Sequence, residues 1–209
     1  MIYDCAKCSI HACRSGKLDR LPKNCPMRAE AFQKEAFAEY EKEENHDFYV
    51  NSSCIESEGY GQWTRMQEIL EFCRKMHYTK IGLAFCIGLR NEAKVVDRYY
   101  EQHGLEVVSV VCKTGAHDKE TVGITDEKKV HPGQFEAMCN PIMQAKAMNA
   151  AGTQLNIILG LCVGHDSLFI KYSEAPVTTL VTKDRVLAHN PCGAIYVYDS
   201  YYKGKLQDQ

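Results

Sequence analysis

Three short apolar runs constrain this chain more than any other feature: Lys80-Ile-Gly-Leu-Ala-Phe-Cys86, Leu105-Glu-Val-Val-Ser-Val-Val-Cys112 and Gln154-Leu-Asn-Ile-Ile-Leu-Gly-Leu-Cys162. Each is too short to be a buried helix and reads as a strand. Between the first two, residues 91–103 carry a helical pattern that stops at Gly104. Ahead of the third, Asn140 reads as an N-cap and Pro141 as the first residue of a helix ending near Gly152. Strands that are apolar throughout and alternate with helices imply βαβ units. The expected fold is therefore α/β: a small Rossmann-like, mostly parallel sheet with helices on both faces.

In such a sheet ligands gather beyond the carboxyl ends of the strands, where loops and helix N-termini converge. Cys86, Cys112 and Cys162 each close a strand, and Cys139 precedes the helix that feeds the third, so all four are expected at one edge. Thiolates repel and are costly to bury without a cation, so the quartet points to an iron-sulfur cluster or another metal, with the helix dipole easing the charge. The competing reading makes each of them a buried strand residue, since free cysteine is often buried. Gly164-His165-Asp166-Ser167 follows the third strand at the same edge. There His165 is placed for acid/base work, and Asp166 either orients it or caps a short helix. Residues 113–138, with His117, Asp118, Lys119 and His131, are too many for an ordinary connection and read as a lid or substrate-binding element, or else as a solvated insertion. Gly82, Gly88 and Gly160 form neither a dinucleotide fingerprint nor a P-loop.

A second cysteine set opens the chain: Cys5-x2-Cys8-x4-Cys13-x11-Cys25-Pro26. Four thiols with few apolar neighbours cannot make a hydrophobic core, so a metal is expected to order them. The spacing departs from two tight zinc pairs and is closer in style to iron-sulfur ligation, matching neither ferredoxin pattern; Zn2+ is the alternative at this site. His11 reads as a neighbour rather than a ligand. Cys54 and Cys192 fall in expected loops.

Pro26 opens an expected amphipathic helix from about 26 to 44 on Ala29, Phe32, Ala36, Phe37 and Tyr40. A polar, irregular connection follows, and then a helix with Trp63, Met66, Leu70, Cys73 and His77 on one face, Cys73 reading as core. The expected organisation is a cysteine-rich module plus helix over 1–45, a connection over 46–62 and the α/β domain over 63–209. Toward the end, Thr178-Thr-Leu-Val-Thr and Val186-Leu-Ala-His189 flank Lys183-Asp-Arg185, which suggests a hairpin or a strand pair extending the sheet, and residues 193–199 fit a strand or a helix.

A net charge of −2 in 209 residues provides no basic field, so no nucleic-acid partner is expected. The absence of a long apolar run argues against a membrane, and the absence of a secretory start argues for the cytoplasm. Eleven cysteines in a reducing compartment favour metal or thiol chemistry over disulfides. Together with Cys139-Asn-Pro141, Gly160-Leu-Cys-Val-Gly-His-Asp166 and Lys183-Asp-Arg-Val-Leu-Ala-His-Asn-Pro191, the N-terminal pattern resembles a family of cysteine-rich bacterial and archaeal proteins. That family is a domain of unknown function described as predicted metal-binding. The resemblance spans nearly the full length and implies metal binding through cysteines. The expected function is redox or reductive chemistry on one or two iron-sulfur clusters, acting with a redox partner or a small-molecule substrate. A zinc-stabilised regulatory module and a thiol-based metal sensor or carrier are the alternatives.

Overall fold

The computed structural model describes residues 3–206 and divides into two compact units after Glu58. In the first unit, 3₁₀ turns at Cys5–Lys7, Leu18–Arg20 and Pro26–Arg28 alternate with the one-turn helix α1, Ala12–Ser15. Backbone and arginine hydrogen bonds hold these turns. The amide of Cys8 donates to the Cys5 carbonyl at 3.1 Å, and Arg28 donates to the Leu21 and Pro22 carbonyls at 2.6 and 2.9 Å. The helix expected over 26–44 is split into the turn at Pro26 and α2, Glu30–Glu39. The segment expected as an irregular connection is instead helical, as α3, Glu43–Gly59. Its polar composition hid a helix that depends little on an apolar stripe. Among the described residues of this unit only Ala12 and Ile55 are buried.

The second unit begins with α4, Arg65–Lys75, where Thr64 and Gln67 form a reciprocal capping box. Ile69, Leu70, Phe72 and Cys73 are its buried residues. His77, expected on that face, is exposed and left-handed just past the helix end. The chain continues as β1, Lys80–Phe85; α5, Arg90–Gln102; β2, Glu106–Val111; α6, Pro141–Ala151; β3, Leu155–Leu159; α7, His165–Tyr172; and β4, Val177–Val181. The four strands form one all-parallel sheet in the order β2-β1-β3-β4. Right-handed crossovers put α5 on one face and α6 with α7 on the other, which is why all five residues of β3 are buried.

The C-terminal hairpin expected around Lys183-Asp-Arg185 does not form. Residues 177–181 pair with β3 in parallel, and Val186 to His189 lie in a closed turn. The helix α7 supplies the crossover a parallel strand requires, so this strand extends the sheet beside β3. The undecided 193–199 segment contains α8, Cys192–Tyr196, and α9 follows at Lys203–Leu206. Among the described residues no helix is long and apolar enough to cross a membrane.

Two close approaches shape the sheet. At Gly82 in β1, an added Cβ would lie 2.1 Å from the Asn156 carboxamide oxygen and 2.6 Å from the Met148 sulfur. Asn156 is fully buried there and bonded to Thr153 and Ser173. Gly160 ends β3 with φ +66°, and a Cβ would meet Leu89 at 2.0 Å, so glycine lets the turn after β1 close onto the end of β3.

Candidate functional site at the carboxyl edge of the sheet

The strand order reverses between β1 and β3, which opens a crevice beyond their carboxyl ends. Backbone pairing extends one step past the strands and brings the cysteine-bearing segments together. The amide of Cys86 donates to the Leu159 carbonyl at 3.2 Å, that of Cys112 to Phe85 at 2.9 Å, and that of Asn140 to Cys112 at 2.7 Å. Cys139 therefore lies beside Cys112. It also immediately precedes α6, which Asn140 caps by accepting the Met143 amide at 3.1 Å. Cys162 lies in the turn that opens α7, where its carbonyl accepts the amides of His165 and Asp166 at 2.9 and 3.1 Å.

All four thiols line one cavity of about 770 Å³. The Cys112 thiol lies within hydrogen-bonding reach of Cys139 and Cys86. These bonds, together with burial, push its own pKa up, opposed by the Ile87 amide, which donates to its sulfur at 3.4 Å. The same bond lowers Cys86 against its burial, helped by the Gly88 amide and by Lys183. Cys139 is lowered by its bond from Cys112, against burial, and then by the charges of Lys113 and His165. Arg185 donates to the Cys162 sulfur at 3.0 Å. The result is a set of sulfurs among N–H donors and cations, with Cys86 and Cys139 made more acidic than an ordinary thiol.

The sequence expectation thus placed Cys86, Cys112, Cys139 and Cys162 at one edge, and the structure brings them into one cavity. His165 lines it too, while Asp166 accepts the Ser167 amide at 2.8 Å in the first turn of α7. In the N-terminal unit Cys5 and Cys13 are exposed and Cys8 and Cys25 half-buried. Among the described residues no group of three or more His, Cys, Asp or Glu side chains is arranged to hold a metal ion. At the sheet edge the sulfurs face one another and the cations in pairs, so ligation would require them to turn toward a common centre.

Three groups at this edge were missed: Lys183, Arg185 and His189. All follow β4, and the hairpin reading removed them from the site; a short β-branched run after a helix was the signal that would have placed them there. Their turn is closed by Asp184, whose carboxylate accepts the Val186 and Leu187 amides at 2.9 and 2.8 Å and whose amide donates to His189 Nδ1 at 3.1 Å.

Residues 113–138 form a built wall rather than a loose insertion. Lys129, with its side chain 3 % exposed, reaches Glu120 at 2.6 Å, Asp126 at 3.2 Å, Asp118 at 3.4 Å and the Gln134 carbonyl at 3.1 Å. Glu136 pairs with Lys119 and accepts the Val130 and His131 amides at 2.8 and 3.1 Å.

Fold and site together define a parallel α/β protein with a cysteine-lined crevice at its strand-order reversal. Residues 25–180 match the family model described as protein of unknown function (DUF1847). The chain is also 48% identical over 202 residues to the uncharacterized protein MJ0455 of Methanocaldococcus jannaschii, covering 97% of each chain. The chain belongs to the DUF1847 family.

Proposed function

We propose that this chain is a redox protein whose Rossmann-like domain holds an iron-sulfur cluster through Cys86, Cys112, Cys139 and Cys162. The observation that supports the reading is that these four thiols, from four separate connections, line one crevice and carry N–H···S donors and cations suited to an anionic thiolate centre. In kind the donors fit, four sulfurs matching cluster or zinc ligation once turned toward a common centre, and donors to sulfur together with nearby charge set the potential of a cluster. Such a cluster supplies one-electron transfer. Within the chain, Arg185, Lys183 and the amides of Ile87 and Gly88 stabilise negative charge on the sulfurs. His165, close enough to lower Cys139, holds an exchangeable proton at the rim. The redox partner or small-molecule substrate meets the site through the same cavity.

A second metal centre at Cys5, Cys8, Cys13 and Cys25, either a cluster or Zn2+, would order a unit that buries almost nothing else. Purification under anaerobic conditions with metal analysis and visible spectroscopy tests the reading. A brown protein containing iron and sulfide is expected; a colourless one containing only zinc contradicts it and favours a zinc-stabilised module.

A further inference from the structure

The cysteine crevice is larger than its sulfurs require, and its two walls differ in chemistry. One wall is cationic. Lys183 and Arg185 face the sulfurs of Cys86 and Cys162, and among the described residues neither forms a salt bridge with a carboxylate. The carboxylate lining the cavity, Glu136, is already paired with Lys119. His189 adds a donor to this wall: because its Nδ1 accepts the Asp184 amide, the neutral ring carries its proton on Nε2.

The other wall belongs to residues 113–138, where the charged groups are internally partnered, Lys119 with Glu136 and Lys113 with the Ala137 carbonyl, and the remaining lining is aliphatic. Val122 is 56% exposed and Val130 73% exposed although both line the cavity, and Ile124 and Met138 continue the surface. The Lys129 cage and the Glu136 bonds fix this wall in place, so its apolar side chains are displayed toward the cavity without a neighbour to cover them. A cavity with exposed aliphatic groups on one side and carboxylate-free cations on the other matches an amphipathic anion.

We infer that the crevice binds a small organic carboxylate with an aliphatic tail, its head on Lys183, Arg185 and His189 and its tail against Val122, Ile124 and Val130. This deepens the reading of the site as a redox centre, and rests on it for the role of the ligand as substrate. Electrostatic recognition requires both cations, since a carboxylate can take the planar donor pair of Arg185 together with the point charge of Lys183. Tail recognition requires the wall.

Isothermal titration of the full chain with hexanoate tests this, with hexylammonium as the charge-reversed probe and acetate as the tail-less one, before and after chelation of metal. Hexanoate should bind, acetate at least tenfold more weakly, and hexylammonium not measurably. The Lys183→Met and Arg185→Met variants should each weaken hexanoate at least tenfold, and Val130→Ser should weaken hexanoate while leaving acetate unchanged. Circular dichroism of each variant establishes that the fold is retained, and Arg185→Lys provides a charge-conserving variant that should bind better than Arg185→Met. Equal binding of hexylammonium and hexanoate, or no binding of hexanoate, overturns the inference. Anion-selective binding by a protein that never contains iron would leave it standing and refute the cluster; iron without hexanoate binding would do the reverse.

Discussion

The guanidinium of Arg185 donates to the sulfur of Cys162 at 3.0 Å, across a sequence separation of 23 residues. The contact joins the turn after β4 to the turn after β3 and raises the Arg185 pKa through its hydrogen bond to that sulfur. A partner of this kind orients a ligating thiolate and offsets its charge. If the sheet edge holds the proposed cluster, Arg185→Ala should weaken its binding by about 10–100-fold and move its midpoint potential to more negative values. Competition against a chelator and a spectroelectrochemical titration measure the two effects.

Gly82 carries a prediction about the sheet itself. A methyl group there would overlap the buried Asn156 carboxamide and the Met148 sulfur, and neither has an alternative site without breaking the bonds of Asn156 to Thr153 and Ser173. Gly82→Ala should destabilise the second unit by about 1–3 kcal/mol. Urea unfolding should show a lower midpoint at unchanged slope.

The wall formed by residues 113–138 should loosen in acid. Lys119 holds the Glu136 carboxyl down from 4.5 to about 2, helped by the Val130 and His131 amides against desolvation. Because the folded value lies below the unfolded one, the stabilisation is fully present above about pH 4.5 and disappears as pH falls toward 2. Protection of the Val130 and His131 amides, taken relative to intrinsic exchange, should be high at neutral pH and fall through that window. The Glu136→Gln variant should exchange faster at pH 7 and lose most of the acid response.

The N-terminal unit invites a different test. With only Ala12 and Ile55 buried among its described residues, hydrophobic burial supplies only a few kcal/mol, and a unit of this size needs another staple. If Cys5, Cys8, Cys13 and Cys25 bind metal, chelation should abolish amide protection between residues 5 and 28 while leaving β1 and β3 protected.

Much of the second unit was legible because the central strands β1 and β3 are buried and the edge strand β2 is rich in valine: all three lie where the runs ending in Cys86, Cys112 and Cys162 placed them. The same pattern puts those thiols at one edge, since the residue after a parallel strand has only one end of the sheet to occupy. Asn140-Pro141 fixed the start of α6, and with it the place of Cys139. What escaped was nonlocal or unpatterned. The strand β4, Val-Thr-Thr-Leu-Val, is short and β-branched and reads equally well as half of a hairpin; only its pairing with β3 separates the two, and with it went Lys183, Arg185 and His189. The Lys129 cage joins Asp118, Glu120 and Asp126 through a fold of the chain that no periodicity announces. In the first unit, α3 follows no strong apolar stripe, so its helix was invisible to a reading based on burial.

The central claim is that the sheet-edge quartet holds a redox-active cluster, whichever metal the N-terminal quartet binds. Iron and acid-labile sulfide should be measured in three anaerobically prepared variants: Cys86, Cys112, Cys139 and Cys162 all changed to Ser; Cys5, Cys8, Cys13 and Cys25 all changed to Ser; and Cys73→Ser. Cys73 is fully buried, and burial alone pushes its thiol up to about 12, so it serves as a core control. The account predicts that the first variant loses the visible absorption and reducible iron of the sheet-edge cluster, while the second and third retain them. Full iron and sulfide in the first variant, with loss in the second, would contradict it.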